Sequence, residues 1–161
     1  MRKRVIGREP SPSVAASAAA AGSFLDLERL ARVELTSEDP DHPIESALVP
    51  GVGPGWRAAG PGRQTIRLVF DEPRRVRRVR LEFEEGARER TQEFSLSWTS
   101  ANGETDRPLV RQQYTFSPGG ATREVEDYGF DLVGVTAIDL EIAPDVGGGD
   151  THASLVSLRV A

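Results

Sequence analysis

The feature that most limits what this chain can fold into is a two-residue rhythm that begins near Val33 and recurs to the end of the sequence. Val33 and Leu35 open it, and Ile66, Leu68 and Phe70 repeat it. Val79, Leu81 and Phe83 alternate with Arg80, Glu82 and Glu84, and Phe94, Leu96 and Trp98 alternate with Ser95, Ser97 and Thr99. Tyr114 and Phe116 follow, then Ile138, Leu140 and Ile142 against Asp139 and Glu141, and last Leu158 and Val160. Successive side chains of a strand take opposite faces, so this pattern builds antiparallel sheets with one apolar and one wet face. The acids in the alternation are expected to face water. Between the apolar runs stand turn signals: Asp71-Glu72-Pro73, Ala101-Asn102-Gly103, Ser117-Pro118-Gly119-Gly120 and Val146-Gly147-Gly148-Gly149. The reading is an all-β fold of seven or eight short strands, an antiparallel β-sandwich of the jelly-roll type. Phe24, Leu25, Leu27 and Leu30 recur at helical spacing and predict a helical turn leading in; no helix-length pattern follows.

The 161 residues suffice for one domain with a core. Residues 1–22 are expected to form a flexible tail, and 23–161 the single sandwich. The basic start is interrupted by Gly7, Arg8, Glu9 and Pro10 before any apolar core forms, unlike a secretory signal, so the expected location is cytoplasmic. No apolar run reaches the ~18–20 residues of a membrane span. The net charge of −5 argues against nucleic acid and anionic lipid as partners. With no cysteine, disulfides, thiolate zinc sites and cysteine nucleophiles are excluded together. The basic cluster from Arg74 to Arg80 is flanked by acids, and cross-strand ion pairing on a solvent face explains it.

The order of motifs resembles the galactose-binding-like β-sandwich, the superfamily of discoidin and coagulation factor 5/8 C-type domains. The run Leu35 to Ala47, with its His42-Pro43 pair, matches the family's serine-rich first turn and His-Pro loop. Gly53-Pro54-Gly55-Trp56 matches a Gly-x-x-Trp element, Gln64 to Glu72 and Val76 to Phe83 match its paired strands, and Ala153 to Val160 matches its ending. The resemblance covers roughly residues 33–161. It implies a distorted jelly roll that takes its ligand on loops at one end, the ligand being a sugar, a lipid head group or a protein. Many relatives hold a structural calcium through an Ala-x-Asp-Gly loop and a glutamate near the last strand. Here Ala47-Leu48-Val49-Pro50-Gly51 and Leu155-Val156-Ser157 carry no carboxylate, so no cofactor is expected and that site reads as degenerate.

Candidate ligand-binding residues lie on loops. Asp39, Asp41 and His42 suit sugar hydroxyls or a metal, against the reading of a polar turn stiffened by Pro40 and Pro43. Trp56 either stacks on a sugar face or plugs the sandwich, and the family resemblance favours plugging. Arg88 and Arg90 stand where sugar-binding relatives place a gripping arginine, against a solvated charged hairpin. Asp145, Asp150 and His152 surround three glycines and read as a glycine loop rather than a metal site. No serine sits on a nucleophile elbow, and no catalytic residue is assigned. The expected function is non-catalytic carbohydrate binding at the loop end. The alternative is an intracellular interaction domain whose partner is another protein or a second copy of the chain (a homo-oligomer), marked by a broad apolar patch.

Overall fold

The alternation becomes nine strands and two single helical turns among the described residues of a computed structural model, which are 1–5, 23–103 and 107–161. In chain order these are β1 (Arg2–Val5), α1 (Leu27–Leu30), β2 (Ala31–Leu35), α2 (Glu45–Leu48), β3 (Trp56–Pro61), β4 (Gln64–Glu84), β5 (Arg90–Ser100), β6 (Arg107–Phe116), β7 (Arg123–Ala143), β8 (His152–Leu155) and β9 (Ser157–Val160). The main sheet runs β1-β2-β4-β7-β5-β6 with β9 also on β4, while β3 and β8 pair separately. α1 is the expected lead-in turn, capped by the Asp26 carboxylate on the Arg29 N–H.

Two strands of 21 residues, β4 and β7, make the sandwich. Residues 64–69 of β4 pair with the end of β7, and 78–84 pair with its beginning. Between them the register shifts three times, from Val69 to Arg78. Bulges of this kind bend and twist a strand. β2 therefore pairs only with the first half of β4, and β9 only with the second. The two halves belong to two layers, and Phe83 of one layer stacks on Phe94 of the other with ring centroids 5.3 Å apart. Trp56, Phe83, Phe94, Phe116, Leu35 and Ile66 are among the large side chains buried between them.

Three expectations need correction. Asp71-Glu72-Pro73 is not a turn: it lies inside β4, at the bulged corner. A proline cannot donate to a regular ladder, which is why a corner tolerates it. Arg2–Val5, assigned above to the tail, pairs in parallel with β2, and Lys3 reaches Glu38 and Glu45 at 2.9 Å each. The remaining tail residues, 6–22, lie outside the described residues. Some acids of the main sheet do not face open water: Glu93, Asp139 and Glu141 are 8%, 5% and 5% exposed, while Glu84 is exposed as expected. Arginines from neighbouring strands lie over them, Arg111 on Glu93, Arg67 on Asp139 and Arg63 on Glu141. The basic cluster behaves as expected, with Arg75 on Asp131 at 2.7 Å and Arg78 on Asp127 at 2.6 Å across the β4–β7 pair. No helix among the described residues is long and apolar enough to cross a membrane.

Candidate functional site

At one end of the sandwich the β3–β8 pair, the 85–89 loop after β4 and the 144–151 loop after β7 surround two adjoining hollows. The alternation of β3 sets their chemistry. Trp56 turns inward and is 1% exposed, so its neighbour Arg57 must point out. The Arg57 backbone is clamped to the first loop: Asp39 N–H donates to Arg57 O at 2.9 Å, and Arg57 N–H donates to His42 O at 3.1 Å. Gly55, just before, has φ of +125°, and a Cβ there would lie 2.5 Å from Leu155 O. Only glycine lets β3 approach the β8–β9 connection this closely.

The smaller hollow, of about 310 Å³, is lined by Arg57, Glu84, Arg88, Asp150 and His152 among others. The larger, of about 680 Å³, shares Arg57 and Glu84 and adds His42 and Gly55. Arg88 donates from Nη1 to Asp150 Oδ1 at 3.0 Å and to Thr151 Oγ1 at 3.1 Å. That contact holds the Asp150 carboxyl below the usual carboxylate range. His152 places Nδ1 3.0 Å from Ala58 O, so Nδ1 carries the proton and Nε2 is left as a lone-pair acceptor. Arg57 and Glu84 are exposed, and neither side chain makes a hydrogen bond or ion pair with the described residues. The hollow thus holds a five-donor fork and a carboxylate with no close hydrogen bond or ion pair among the described residues, the Arg57 charge acting only at longer range to help hold Asp39 low.

The six residues singled out from the sequence divide. His42 sits on the rim of the larger hollow and Arg88 on the wall of the smaller. Asp39 serves the loop itself: Oδ1 accepts from Asp41 N–H at 2.9 Å, and Oδ2 lies 3.5 Å from His42 Nδ1. The Asp41 N–H, and then His42, hold the Asp39 carboxyl low. Asp41 is exposed and lines neither hollow. Trp56 plugs the sandwich, its Nε1 donating to Ser37 O at 3.2 Å. Arg90 borders the smaller hollow with a side chain only 1% exposed. It is held by Glu85 at 2.9 Å, by Pro144 O at 2.6 Å and over the Phe116 ring at 4.8 Å. Although burial opposes it, the Arg90 contact holds the Glu85 carboxyl below its ordinary value. Arg57, Glu84 and His152 were not assigned from the sequence. The alternation beside Trp56 is the signal that could have found Arg57.

The 47–51 loop does not fit a calcium ion. It brings no carboxylate, and Ala47 O accepts from Arg159 Nη1 at 2.7 Å, so a side-chain cation already occupies that carbonyl. Among the described residues no group of three or more His, Asp or Glu side chains is arranged to hold a metal.

No protein-family model matches the sequence, and no curated protein does. Solved structures are similar in fold. The CBM32 module of AlyQ, in complex with 4,5-unsaturated mannuronic acid, has a TM-score of 0.57 at 20% identity over 87% of this chain and 98% of that one. A CBM32 module from Clostridium perfringens, in complex with GalNAc-β-1,3-galactose, has a TM-score of 0.61 at 18% identity over 86% and 99%. The family 32 module of C. perfringens NanJ, in complex with galactose, has a TM-score of 0.58 at 17% identity over 85% and 96%. The chain shares the β-sandwich fold of these modules.

Proposed function

We propose that the chain is a non-catalytic carbohydrate-binding module that seats a sugar in the hollow between β3, β8 and the 85–89 loop. The observation that carries this reading is that Arg57 and Glu84 line one hollow, both exposed and neither in a hydrogen bond or close ion pair among the described residues, beside the His152 imidazole. Vicinal hydroxyls are donors and acceptors at once, so they suit a site that offers a guanidinium fork and a carboxylate together. Support of a second kind comes from the solved neighbours of the same fold, which are carbohydrate-binding modules caught with a uronic acid, a GalNAc-galactose disaccharide and galactose. The competing reading, a protein-interaction scaffold, lacks its mark. The large apolar side chains exposed among the described residues are Val5, Phe24, Val52, Val125, Val133 and Val146, drawn from five different segments. Single exposed apolar residues are ordinary and form no docking face.

A glycan-array screen of the full chain, followed by titration of the best sugar into wild type, Arg57→Ala and Glu84→Gln, tests the proposal. Each variant is expected to weaken binding about tenfold or more, the loss of a hydrogen bond to a charged group. Unchanged affinity in both variants would remove the site. A blank array on folded protein would remove the function.

A further inference from the structure

A second cleft lies on the far side of the 144–151 loop, and nothing above uses it. Its volume is about 340 Å³, and Arg63, Glu93, Arg111, Gln113, Val146 and Gly148 are among the residues that line it. Its floor is a positioning device. Glu93, buried beneath, accepts from Arg111 Nε at 2.9 Å and from Gln113 Nε2 at 2.7 Å. Arg63 is anchored by one nitrogen, Nη1, to the buried Glu141. Arg63 and Arg111 are both 45% exposed, and each uses only one nitrogen on its carboxylate. The remaining N–H groups of two held guanidiniums, with the Gln113 carbonyl oxygen, are left for the cleft. A pair of solvated surface arginines would be mobile and would offer no fixed pattern; here buried carboxylates fix both forks.

The two clefts share one wall. Asp150, Thr151 and His152 line the first, and Asp145, Val146 and Gly148 line the second. That wall is pinned at both ends and low at its crest. Val146 N–H donates to Thr91 O at 2.8 Å, and Gly62 N–H donates to Thr151 O at 3.2 Å. At the crest Gly147, Gly148 and Gly149 carry no side chains, and the positive φ of Gly148 and Gly149, +84° and +101°, favours glycine there. The glycines keep this crest low, and the side chains a sugar chain crossing it would meet are the Asp145 carboxylate, which accepts from Gly147 N–H at 3.1 Å, and the exposed Val146 and Asp150 beside it.

We infer that the second cleft is a saccharide subsite, and that one oligosaccharide straddles the Gly147–Gly149 ridge with a unit in each cleft. This rests on the proposed sugar-binding function and deepens it: the ligand is an extended glycan read at two points rather than a lone terminal sugar. Arg63 and Arg111 donate to hydroxyl and ring oxygens of the second unit, and the Gln113 carbonyl oxygen accepts from a hydroxyl. Two linked sites gain through effective concentration, so affinity should climb steeply at the length that first spans the ridge and then level.

Calorimetric titration of the full chain with two ladders, β-1,4-galacto-oligosaccharides and oligogalacturonides, each from monosaccharide through octasaccharide, decides the matter. The expected result is a rise of about tenfold or more between the shortest and the spanning members of at least one ladder. Arg63→Gln and Arg111→Gln should abolish the rise and leave monosaccharide affinity unchanged. Amide shifts at Gly62 and Gly148 should move with the long oligomers alone, which keeps the test intact if a variant folds poorly. Monosaccharide binding with no dependence on length, or a rise that survives both substitutions, overturns the second subsite and leaves the first standing. No binding by any member of either ladder overturns the subsite, and together with a blank glycan array it overturns the sugar-binding function as well.

Discussion

At the scale of single residues, burial decides which charged groups are available to a ligand and which serve the fold. Arg90 and Arg57 are both arginines on the rim of one hollow, yet Arg90 is consumed by Glu85 and Pro144 while Arg57 is exposed with no close hydrogen bond or ion pair among the described residues. Residue type and loop position could nominate Arg88 and Arg90 alike, because neither reports the burial that separates them, 53% exposed against 1%. Glu124 is the opposite case, a buried carboxyl that no ligand reaches. It sits between the layers, accepting from Gln92 Nε2 at 3.2 Å, and Glu126 lies beside it with the Tyr128 hydroxyl on its Oε2. Burial first, and then the neighbouring Glu126, push the Glu124 carboxyl up to about 8. A carboxyl raised in the folded state stabilises the fold in its protonated form. That contribution is complete below the ordinary value of 4.5 and is lost as pH climbs through about 8. The melting temperature of wild type should therefore fall by some degrees, on the order of 5 °C, between pH of about 5 and about 8.5. Glu124→Gln keeps the acceptor for Gln92 but cannot ionise, and its melting temperature should change much less over that interval. Equal slopes in the two proteins, followed by circular dichroism, would show that Glu124 titrates normally.

At the scale of elements, the fold was most legible where one strand has one face to bury. β2, β5 and β9 read correctly from their alternation, and so did the Ala101-Asn102-Gly103 hairpin position. What failed was continuity. A turn signal inside β4 looks local, but pairing with β7 over 21 residues carries the strand through it as a bulged corner. Long-range pairing is invisible to a window of a few residues. α2 was missed for a similar reason: it is one turn long, and only packing fixes it. Its join to β9 rests on Arg159, which donates to Ala47 O at 2.7 Å, and burial lowers the Arg159 pKa. Replacing Arg159 with Met removes a charged hydrogen bond and orphans a carbonyl, at an expected cost of about 1–2 kcal/mol in urea unfolding. Because that arginine holds the carbonyl, adding a calcium chelator should leave the wild-type unfolding curve unchanged. A chelator-dependent midpoint would contradict the misfit of calcium at this loop. Gly55 joins β3 to the same region, and its positive φ, with Leu155 O only 2.5 Å from where a Cβ would sit, leaves no room for a side chain. Gly55→Ala should cost about 2 kcal/mol or more in the same assay, and sugar affinity should fall with it as Arg57 is displaced.

At the scale of the whole molecule, the sandwich is a rigid frame that gathers polar loops at one end, and the core supplies almost nothing to the ligand directly. The sequence placed candidates on the loop end, where a jelly roll can vary, and of these His42 and Arg88 line the hollows proposed as the site. The rest of its composition was not legible. Glu84 lies near the middle of the sequence and His152 near its end, and only the β3–β8 pairing and the return of β4 bring them to one hollow. That assembly has a thermodynamic consequence. Among the described residues Trp56 is the only Trp, Tyr or Phe lining the two adjoining hollows, and it is 1% exposed with its Nε1 already on Ser37 O, so a sugar finds no large ring to stack on. In the proposed site recognition then rests on hydrogen bonds donated by Arg57 and Arg88 and accepted by Glu84 and His152. A monosaccharide of roughly a dozen heavy atoms, at about −0.3 kcal/mol per atom, reaches about −4 kcal/mol, a Kd on the order of 1 mM. Burial of apolar surface is what makes the heat capacity of binding strongly negative, and little is buried here. Calorimetry over a range of temperatures should give a favourable enthalpy and a heat-capacity change smaller in size than about 0.1 kcal/mol/K. A large negative value would mean that the loops part on binding and hand Trp56 to the sugar, which would return that residue from the plug of the sandwich to the floor of the site.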